Sequence, residues 1–434
     1  MKAGKYYIET YGCQMNEADS EIIAGLLERE NFISTCNPDE ADIILVNTCS
    51  VRHGADNRAI SRLSQFKSFK KTNPNLLLGL VGCVAQRDRG KILEEKPFID
   101  LVLGPDAYRQ IPELVVNKTH SFIDVNLSRK EVYDGLMPFR NSIVNAWVSI
   151  MRGCDKFCSY CIVPYTRGRE RSRSIKSIVE EIKRAVSDGY QEITLLGQNV
   201  NSYRYDDHRF PDLLIQVAEI PGVKRVRFTS PHPEDVNTRM LEAMRDYDNI
   251  CKHIHLPLQS GSTKVLSAMN RSYTQEKYLD FVTNIRKYLP ECGITTDIIV
   301  GFPGETAADF EETLHVMDEV IFDNAYMFKY SPRPNTAAAK LTDDVTEEEK
   351  AERLNLIIAK QKRHTTFRNR QTIGTIQSVL IDGCSKKNVD EKIGRTDSNK
   401  LVILKEGSAD IGDLINILIT GAPGVSLFGK IQKS

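Results

Sequence analysis

The sequence predicts a multidomain α/β protein with three folded parts. These are a parallel α/β sheet domain over residues 1–122, a partial (β/α)6 barrel over 146–368 and a small all-β barrel over 371–434, with 123–145 as a linker. Three observations carry this expectation. Residues 1–120 repeat one pattern three times: an apolar run, then Gly or Thr, then Cys, then an amphipathic stretch. Apolar runs alternating with helices form βαβ units, which build parallel sheets. From Ala146 six further apolar runs follow, with helical stretches between many of them. Beyond about residue 371 the pattern changes to short strands separated by turns such as Asp382-Gly383, as in a small barrel.

In the first part the runs are Lys5–Thr10, Asp42–Thr48 and Leu76–Gly82, and the cysteines that follow them are Cys13, Cys49 and Cys83. Glu17–Glu30 and Arg52–Phe69 read as helices, the first with Asn16 as N-cap and Asp19 in its first turn. In an open parallel sheet all strand C-terminal ends share one edge, where ligands bind. Cys13, Cys49 and Cys83 therefore converge, although they are far apart in the chain. Cys36 falls on the opposite edge, and His53 reads as a surface or capping residue. The linker, with Leu136-Met137-Pro138-Phe139-Arg140, has no clear period. The barrel strands are expected at Ala146–Arg152, Glu192–Gly197, Val226–Ser230, His253–Leu258, Thr295–Val300 and Ala325–Tyr330. Their C-terminal ends should face the active site.

Bulk properties narrow the classes. The chain has 434 residues, 58 basic and 58 acidic, so no global field advertises nucleic acid and any RNA contact must rest on local patches. The N-terminus lacks an apolar signal core, and no apolar run approaches the ~20 residues that span a bilayer. A soluble, cytoplasmic protein without membrane association is expected, as a monomer. Ten cysteines in such a chain point to metal or redox chemistry, not to a disulfide framework.

The strongest motif is Arg152-Gly153-Cys154-Asp155-Lys156-Phe157-Cys158-Ser159-Tyr160-Cys161. It places three thiols within eight residues on a loop after a barrel strand. Thiolates are the standard ligands of iron–sulfur clusters, and three of them leave one iron of a four-iron cluster open. A zinc site with a fourth ligand is the bland alternative, but zinc favours paired C-x2-C spacing. For Cys13, Cys49 and Cys83 the bland reading is small buried hydrophobes. Their shared position past strand ends, each preceded by Gly12, Thr48 or Gly82, favours a cluster.

Cys154-x3-Cys158-x2-Cys161 resembles the radical S-adenosylmethionine (SAM) motif. The longer string Met151 to Arg173, with Ile162-Val163-Pro164-Tyr165-Thr166-Arg167-Gly168-Arg169, resembles the methylthiotransferase family of that superfamily, as does Tyr11-Gly12-Cys13-Gln14-Met15-Asn16. The resemblance covers essentially the whole chain and departs at none of the six cysteines. It implies two [4Fe-4S] clusters, one on Cys154, Cys158 and Cys161 that binds and cleaves SAM, and an auxiliary one on Cys13, Cys49 and Cys83 that holds sulfur. It further implies a C-terminal RNA-binding barrel of the TRAM type. The implied reaction is methylthio transfer to C2 of N6-dimethylallyladenosine at position 37 of a tRNA anticodon stem-loop, with an external electron donor. That carbon offers little to acid–base chemistry, so no catalytic side chain is expected beyond what the clusters bind. Sister enzymes acting on threonylcarbamoyl-adenosine or a ribosomal-protein aspartate are the near alternatives. An electron-transfer protein would need full cluster ligation, and a zinc RNA-binding protein no iron at all.

Strand-end position and analogy make Gln198, Asn199, Ser230, Gln259 and Arg271 candidate SAM contacts, although turn chemistry also favours such residues. Arg167, Arg169, Arg171 and Arg173, beside the cysteine loop, are expected at RNA phosphates, as are Arg363, Arg368 and Arg370 at the basic hinge. In the C-terminal module Gly394-Arg395-Thr396 resembles a recurrent string of the RNA-binding domain and adds Arg395. Cys251, Cys292, Cys384 and Trp147 read as structural.

Overall fold

The computed structural model describes residues 4–50, 54–140, 142, 144–386, 388–405 and 409–432. His53 lies outside them. The chain opens with β1 (Lys5–Tyr11), α1 (Gln14–Arg29), β2 (Ile33–Ser34), β3 (Ile43–Thr48) and α2 (Ala55–Phe66). There follow β4 (Leu77–Gly82), α3 (Cys83–Asp88), α4 (Lys91–Glu95), β5 (Leu101–Leu103), α5 (Ile111–Val116) and β6 (Phe122–Asp124). The six strands make one parallel sheet in the order β2-β1-β3-β4-β5-β6. Every residue of β3 and β4 is buried, as in a sheet covered on both faces. Strand alternation divides the cover: Ile43 and Leu45 pack under α1 with Ile23 and Leu27, while Ile44 and Val46 pack with Leu63 and Phe66 of α2.

Two local expectations are corrected. The first helix begins at Gln14, with Cys13 rather than Asn16 at its N-cap. Asn16 instead lies buried and donates through Nδ2 to Asn47 Oδ1 at 3.0 Å. Asp19 is consequently deeper in the helix and fully buried. The expected linker starts inside the sheet with β6, and Tyr133 and Leu136 are buried in the α1-side core. Tyr133 stacks on Tyr108 with ring centroids 5.6 Å apart. A segment crossing a protein face can bury apolar residues without helical or strand periodicity, so its sequence shows no period to read.

The central part contains β7 (Asn145–Ser149), β8 (Met151–Arg152), α6 (Val163–Arg167), β9 (Arg171–Ser172), α7 (Ile175–Ser187) and β10 (Glu192–Leu196). It continues through β11 (Arg204–Tyr205), β12 (His208–Arg209), α8 (Phe210–Ala218), β13 (Arg225–Phe228), α9 (Thr238–Asp246), β14 (His253–His255) and α10 (Thr263–Ala268). It ends with α11 (Gln275–Tyr288), β15 (Gly293–Val300), α12 (Ala307–Val320), β16 (Asn324–Lys329) and α13 (Glu347–Arg370). The expected six strands run parallel in two sets, β7-β10-β13 and β14-β15-β16, joined by one bridge between Val226 and Ile250. The result is the open (β/α)6 arc. Side-chain caps start several of its helices: Ser174 accepts from Ser177 N–H, and Thr306 and Asp309 form a capping box. No described helix is long and apolar enough to cross a membrane.

The last part is a closed barrel of β17 (Ile376–Cys384), β18 (Lys392–Thr396), β19 (Leu401–Leu404), β20 (Leu414–Gly421) and β21 (Ser426–Ile431), in the order β17-β18-β19-β21-β20. It docks on the N-terminal ends of the core strands. Arg225 donates to the carbonyls of Arg395 at 2.6 Å and Ser378 at 2.7 Å, and Arg227 donates to those of Thr396 and Asp397. Cys251 and Cys292 are buried near this end, away from the strand edge that carries the other cysteines.

Candidate active site

Three cysteines from three strand ends of the N-terminal sheet meet in one cavity of 180 Å³. Its walls are Cys13, Cys49 and Cys83 with Gln14 and Met15 from one domain, and Val163, Thr166, Arg167, Leu196, Gly197, Gln198, Thr229 and Ser230 from the other. Close packing behind the thiols explains the small residues before two of them. A Cβ on Gly12 would stand 2.8 Å from Cys49 Cβ and 2.5 Å from Asn16 Oδ1. Gly82 has φ +92°, and a Cβ there would stand 2.4 Å from Asn47 Oδ1. Trp147, read as structural, is half-buried and packs with Cys13, Met15, Ala18 and Leu196 at this junction.

The thiols differ in proton affinity. A hydrogen bond with Cys49 and the Arg167 guanidinium bring Cys13 down to about 6, against the opposing effect of burial. Burial pushes Cys83 up. In the second trio burial raises Cys154 to about 11 and Cys161 to about 12. Thiols with so high a proton affinity become ligands when a metal displaces the proton. Among the described residues no three His, Cys, Asp or Glu side chains close around a single ion. A four-iron cluster asks for less, since each of its thiolates binds a different iron.

The Cys154–Cys161 loop is sewn to the segments around it. Gly153 N–H donates to Gln198 Oε1 at 2.5 Å, Ser159 N–H to the Met269 carbonyl at 2.9 Å, and Ala338 N–H to the Ser159 carbonyl at 2.8 Å. Gly153 itself has φ +79°, and a Cβ there would stand 2.1 Å from the Arg169 carbonyl oxygen. Arg271 donates through Nη1 to Cys158 Sγ at 3.5 Å and through Nη2 to the Pro257 carbonyl.

The other expected SAM contacts divide. Gln198 and Ser230 line the cavity, and Gln259 is buried with Oε1 lacking a partner among the described residues. Ser230 and Gln259 hold φ values of +57° and +67°, left-handed conformations that side chains adopt rarely and that cluster at functional sites. Asn199 lies outside the cavity lining: at 1 % exposure it donates to Asp235 Oδ2 at 2.8 Å and accepts from His232 N–H at 3.1 Å, so its amide braces two loops. His232 belongs to the string Ser230-Pro231-His232 that follows a barrel strand. Its Nδ1 is buried without a partner among the described residues, and burial with Arg271 and Lys156 nearby brings it down to about 2, a neutral imidazole.

The arginine run is largely corrected. Arg167, Arg171 and Arg173 are only 3 %, 8 % and 4 % exposed and are held by carboxylates rather than presented as an open basic face. They clamp the two domains together. Asp19 of α1 receives Arg152 Nη1 and Arg167 Nη2, each at 2.8 Å. Asp106 receives Arg171 at 3.1 Å, and Arg173 pairs with Glu181 at 2.6 Å and Asp134 at 3.4 Å. Arg169 alone of the run is open, paired with Asp155 at 2.7 Å and lying 5.2 Å over the Phe157 ring. Arg363 and Arg370 are exposed, whereas Arg368 is half-buried on Asp323. The Arg395 side chain stays on the surface, 3.9 Å from Asp382.

Comparison with known proteins agrees with this layout. Residues 148–317 match the Radical SAM superfamily, residues 5–104 the uncharacterized protein family UPF0004, and residues 370–431 the TRAM domain. Among solved structures, the radical SAM methyltransferase TsrM from Kitasatospora setae superposes with a TM-score of 0.58 at 11 % identity, over 78 % of this chain and 75 % of that one. The cobalamin-dependent radical SAM enzyme OxsB gives 0.56 at 12 % identity, over 83 % of this chain and 56 % of that one. These likenesses concern the fold. Fold and site together define a radical SAM enzyme with an added α/β domain and a TRAM barrel. The tRNA-2-methylthio-N(6)-dimethylallyladenosine synthase of Porphyromonas gingivalis is 48 % identical over 99 % of this chain and 95 % of its own length. That of Bacteroides fragilis is 48 % identical over 98 % and 95 %. The chain belongs to the tRNA-2-methylthio-N(6)-dimethylallyladenosine synthase family.

Proposed function

We propose that this enzyme transfers a methylthio group to C2 of N6-dimethylallyladenosine at position 37 of tRNA, from a site formed between its first two domains. The observation that carries the proposal is the shared cavity: the cysteine trio of one domain faces the strand ends and α6 of the other across it. Both trios fit four-iron clusters with one open iron each, on Cys13, Cys49 and Cys83 and on Cys154, Cys158 and Cys161. When bound, the second cluster with SAM supplies radical chemistry, and the auxiliary cluster supplies a place for sulfur.

The chain's own residues hold, orient and exclude water. Gln198 fixes the cysteine loop through Gly153, and Arg271 compensates the charge of the Cys158 thiolate. Gln259 Oε1 and His232 Nδ1 are buried groups left free to receive donors from SAM. The neutral imidazole adds no positive charge against a sulfonium. The Asp19 clamp keeps the two walls of the cavity in register. A nucleobase can enter only when unstacked, and a loop nucleotide beside the anticodon is far cheaper to unstack than a paired one. Arg169, Arg363, Arg370 and Arg395 are the proposed phosphate contacts, and a cytoplasmic monomer served by an external electron donor is the proposed setting.

The test is anaerobic incubation with SAM, reductant and tRNAs that differ only in the position-37 modification, followed by nucleoside mass analysis. The expected product is the methylthio derivative of the dimethylallyl nucleoside alone. Modification of threonylcarbamoyl-adenosine instead would assign a sister activity. Reconstituted chain should hold about eight irons, and about four after alanine replaces either trio. Zinc without iron sinks the proposal.

A further inference from the structure

Arg167 stands at the end of α6, six residues beyond Cys161, yet its guanidinium serves the other domain. It is 3 % exposed and lines the cavity with Cys13, Cys49 and Cys83. Nη2 is held by Asp19 Oδ2 at 2.8 Å. Nη1 is buried and has no hydrogen-bond partner among the described residues. The charge of Arg167 acts on both Cys13 and Cys83, and its guanidinium also makes a weak hydrogen-bonding approach to the Cys83 thiol.

Asp19 does not need Arg167 for neutralisation. Arg152 Nη1 binds its other oxygen at 2.8 Å, and Tyr108 Oη–H donates at 3.3 Å. Arg152 also lies 3.8 Å from Asp106, which Arg171 shares, so three buried guanidiniums on two carboxylates leave a surplus positive charge, and Arg167 carries it to the cavity. An orphaned buried N–H on a charged group is costly unless something in the cavity accepts from it. A four-iron cluster on three thiolates carries net negative charge and presents acceptor sulfurs.

Resting on the two-cluster reading above, we propose that Arg167 is the sulfur-facing donor of the auxiliary centre: Nη1–H donates to a sulfur of that centre while Asp19 holds the guanidinium from behind. The cluster of one domain is thereby completed by a residue of the other. The domains must be docked before the auxiliary centre has its full surroundings. Hydrogen bonds to cluster sulfur and nearby positive charge both stabilise the reduced cluster, so each raises its reduction potential.

The test uses the full chain with Cys154, Cys158 and Cys161 replaced by alanine, reconstituted with iron and sulfide so that only the auxiliary cluster forms. Its midpoint potential is measured by EPR-monitored titration, and again after adding Arg167→Met or Arg167→Lys. The expected result is a more negative potential for Arg167→Met and an intermediate one for Arg167→Lys, which keeps the charge but loses the fork. Equal potentials and unchanged EPR spectra in all three chains would overturn the assignment while leaving the two-cluster reading intact. If Arg167→Met takes up no cluster, the comparison of Arg167→Lys with its parent decides. A parent chain that binds no cluster defeats the two-cluster reading, and the role of Arg167 with it.

Discussion

At the scale of single residues the site turns on thiols that look alike in sequence and differ in surroundings. Cys13 sits at the start of α1, hydrogen-bonded to Cys49 and near Arg167, and its thiolate is present above about pH 6. Cys83 is wholly buried and held in the thiol form. In iron-free chain, alkylation of Cys13 by iodoacetamide should therefore rise as pH passes through about 6 and level off by about pH 8. Alkylation of Cys83 should stay slow at pH 8 and still be rising above pH 9. Peptide mass analysis after timed quenching checks both. Equal pH profiles would mean that the cavity does not discriminate between them. The cysteines themselves were legible, because a strand end followed by a helix places a residue on a known edge. The glycines before Cys13, Cys83 and Cys154 were legible only as small neighbours; that Gly82 and Gly153 need positive φ followed from the backbone.

At the scale of elements, α1 and the β8–β9 ribbon are joined by charge. Asp19 of α1 is fully buried and meets Arg152 of β8 and Arg167 of α6. Removing one partner of a buried ion pair typically costs about 3–5 kcal/mol, because the remaining charge stays buried and uncompensated. Asp19→Ala should lose about that much, whereas Asp19→Asn, which can still accept hydrogen bonds, should lose less. Hydrogen exchange along α1, read against the exchange of the remote TRAM barrel, measures the effect where it arises. Unchanged protection of α1 in Asp19→Ala would refute the clamp. None of this was visible in the chain. Asp19 reads as a first-turn helix acid and the arginine run as a solvated basic face, since pairing across 133 residues leaves no local pattern. Helix starts shifted for a similar reason: Asn16 is a good cap by residue type, but Asn47 offers it a buried partner.

At the scale of the whole molecule, the proposed function assigns RNA affinity to arginines left on the surface. Each phosphate contact removed should lower the slope of log affinity against log salt by about 0.7–0.9. Arg363→Ala and Arg395→Ala are each expected to reduce the slope by that amount with an anticodon stem-loop, measured by fluorescence anisotropy from low to moderate salt. Arg171→Met, which alters a residue buried on Asp106, should leave the slope unchanged in whatever chain remains folded. A reduced slope for Arg171→Met would return the buried run to the RNA interface. The TRAM barrel lies at the strand N-terminal ends, and the cavity at the C-terminal ends. On the proposed function a bound RNA therefore has to reach along the core from the barrel to the cavity.

The sequence by itself determined the order of the three folds, the six thiols and the side of each sheet on which they emerge. All of these follow from short-range periodicity and from the rule that parallel strands share a C-terminal edge. Only the tertiary structure decided which charges face water. Burial of a charge depends on a partner brought from another domain, and such a partner is invisible to any local window of the chain. That is why Arg167 and Arg171 beside the cysteine loop bind Asp19 and Asp106, and why Arg167 faces a cavity whose thiols belong to the other domain.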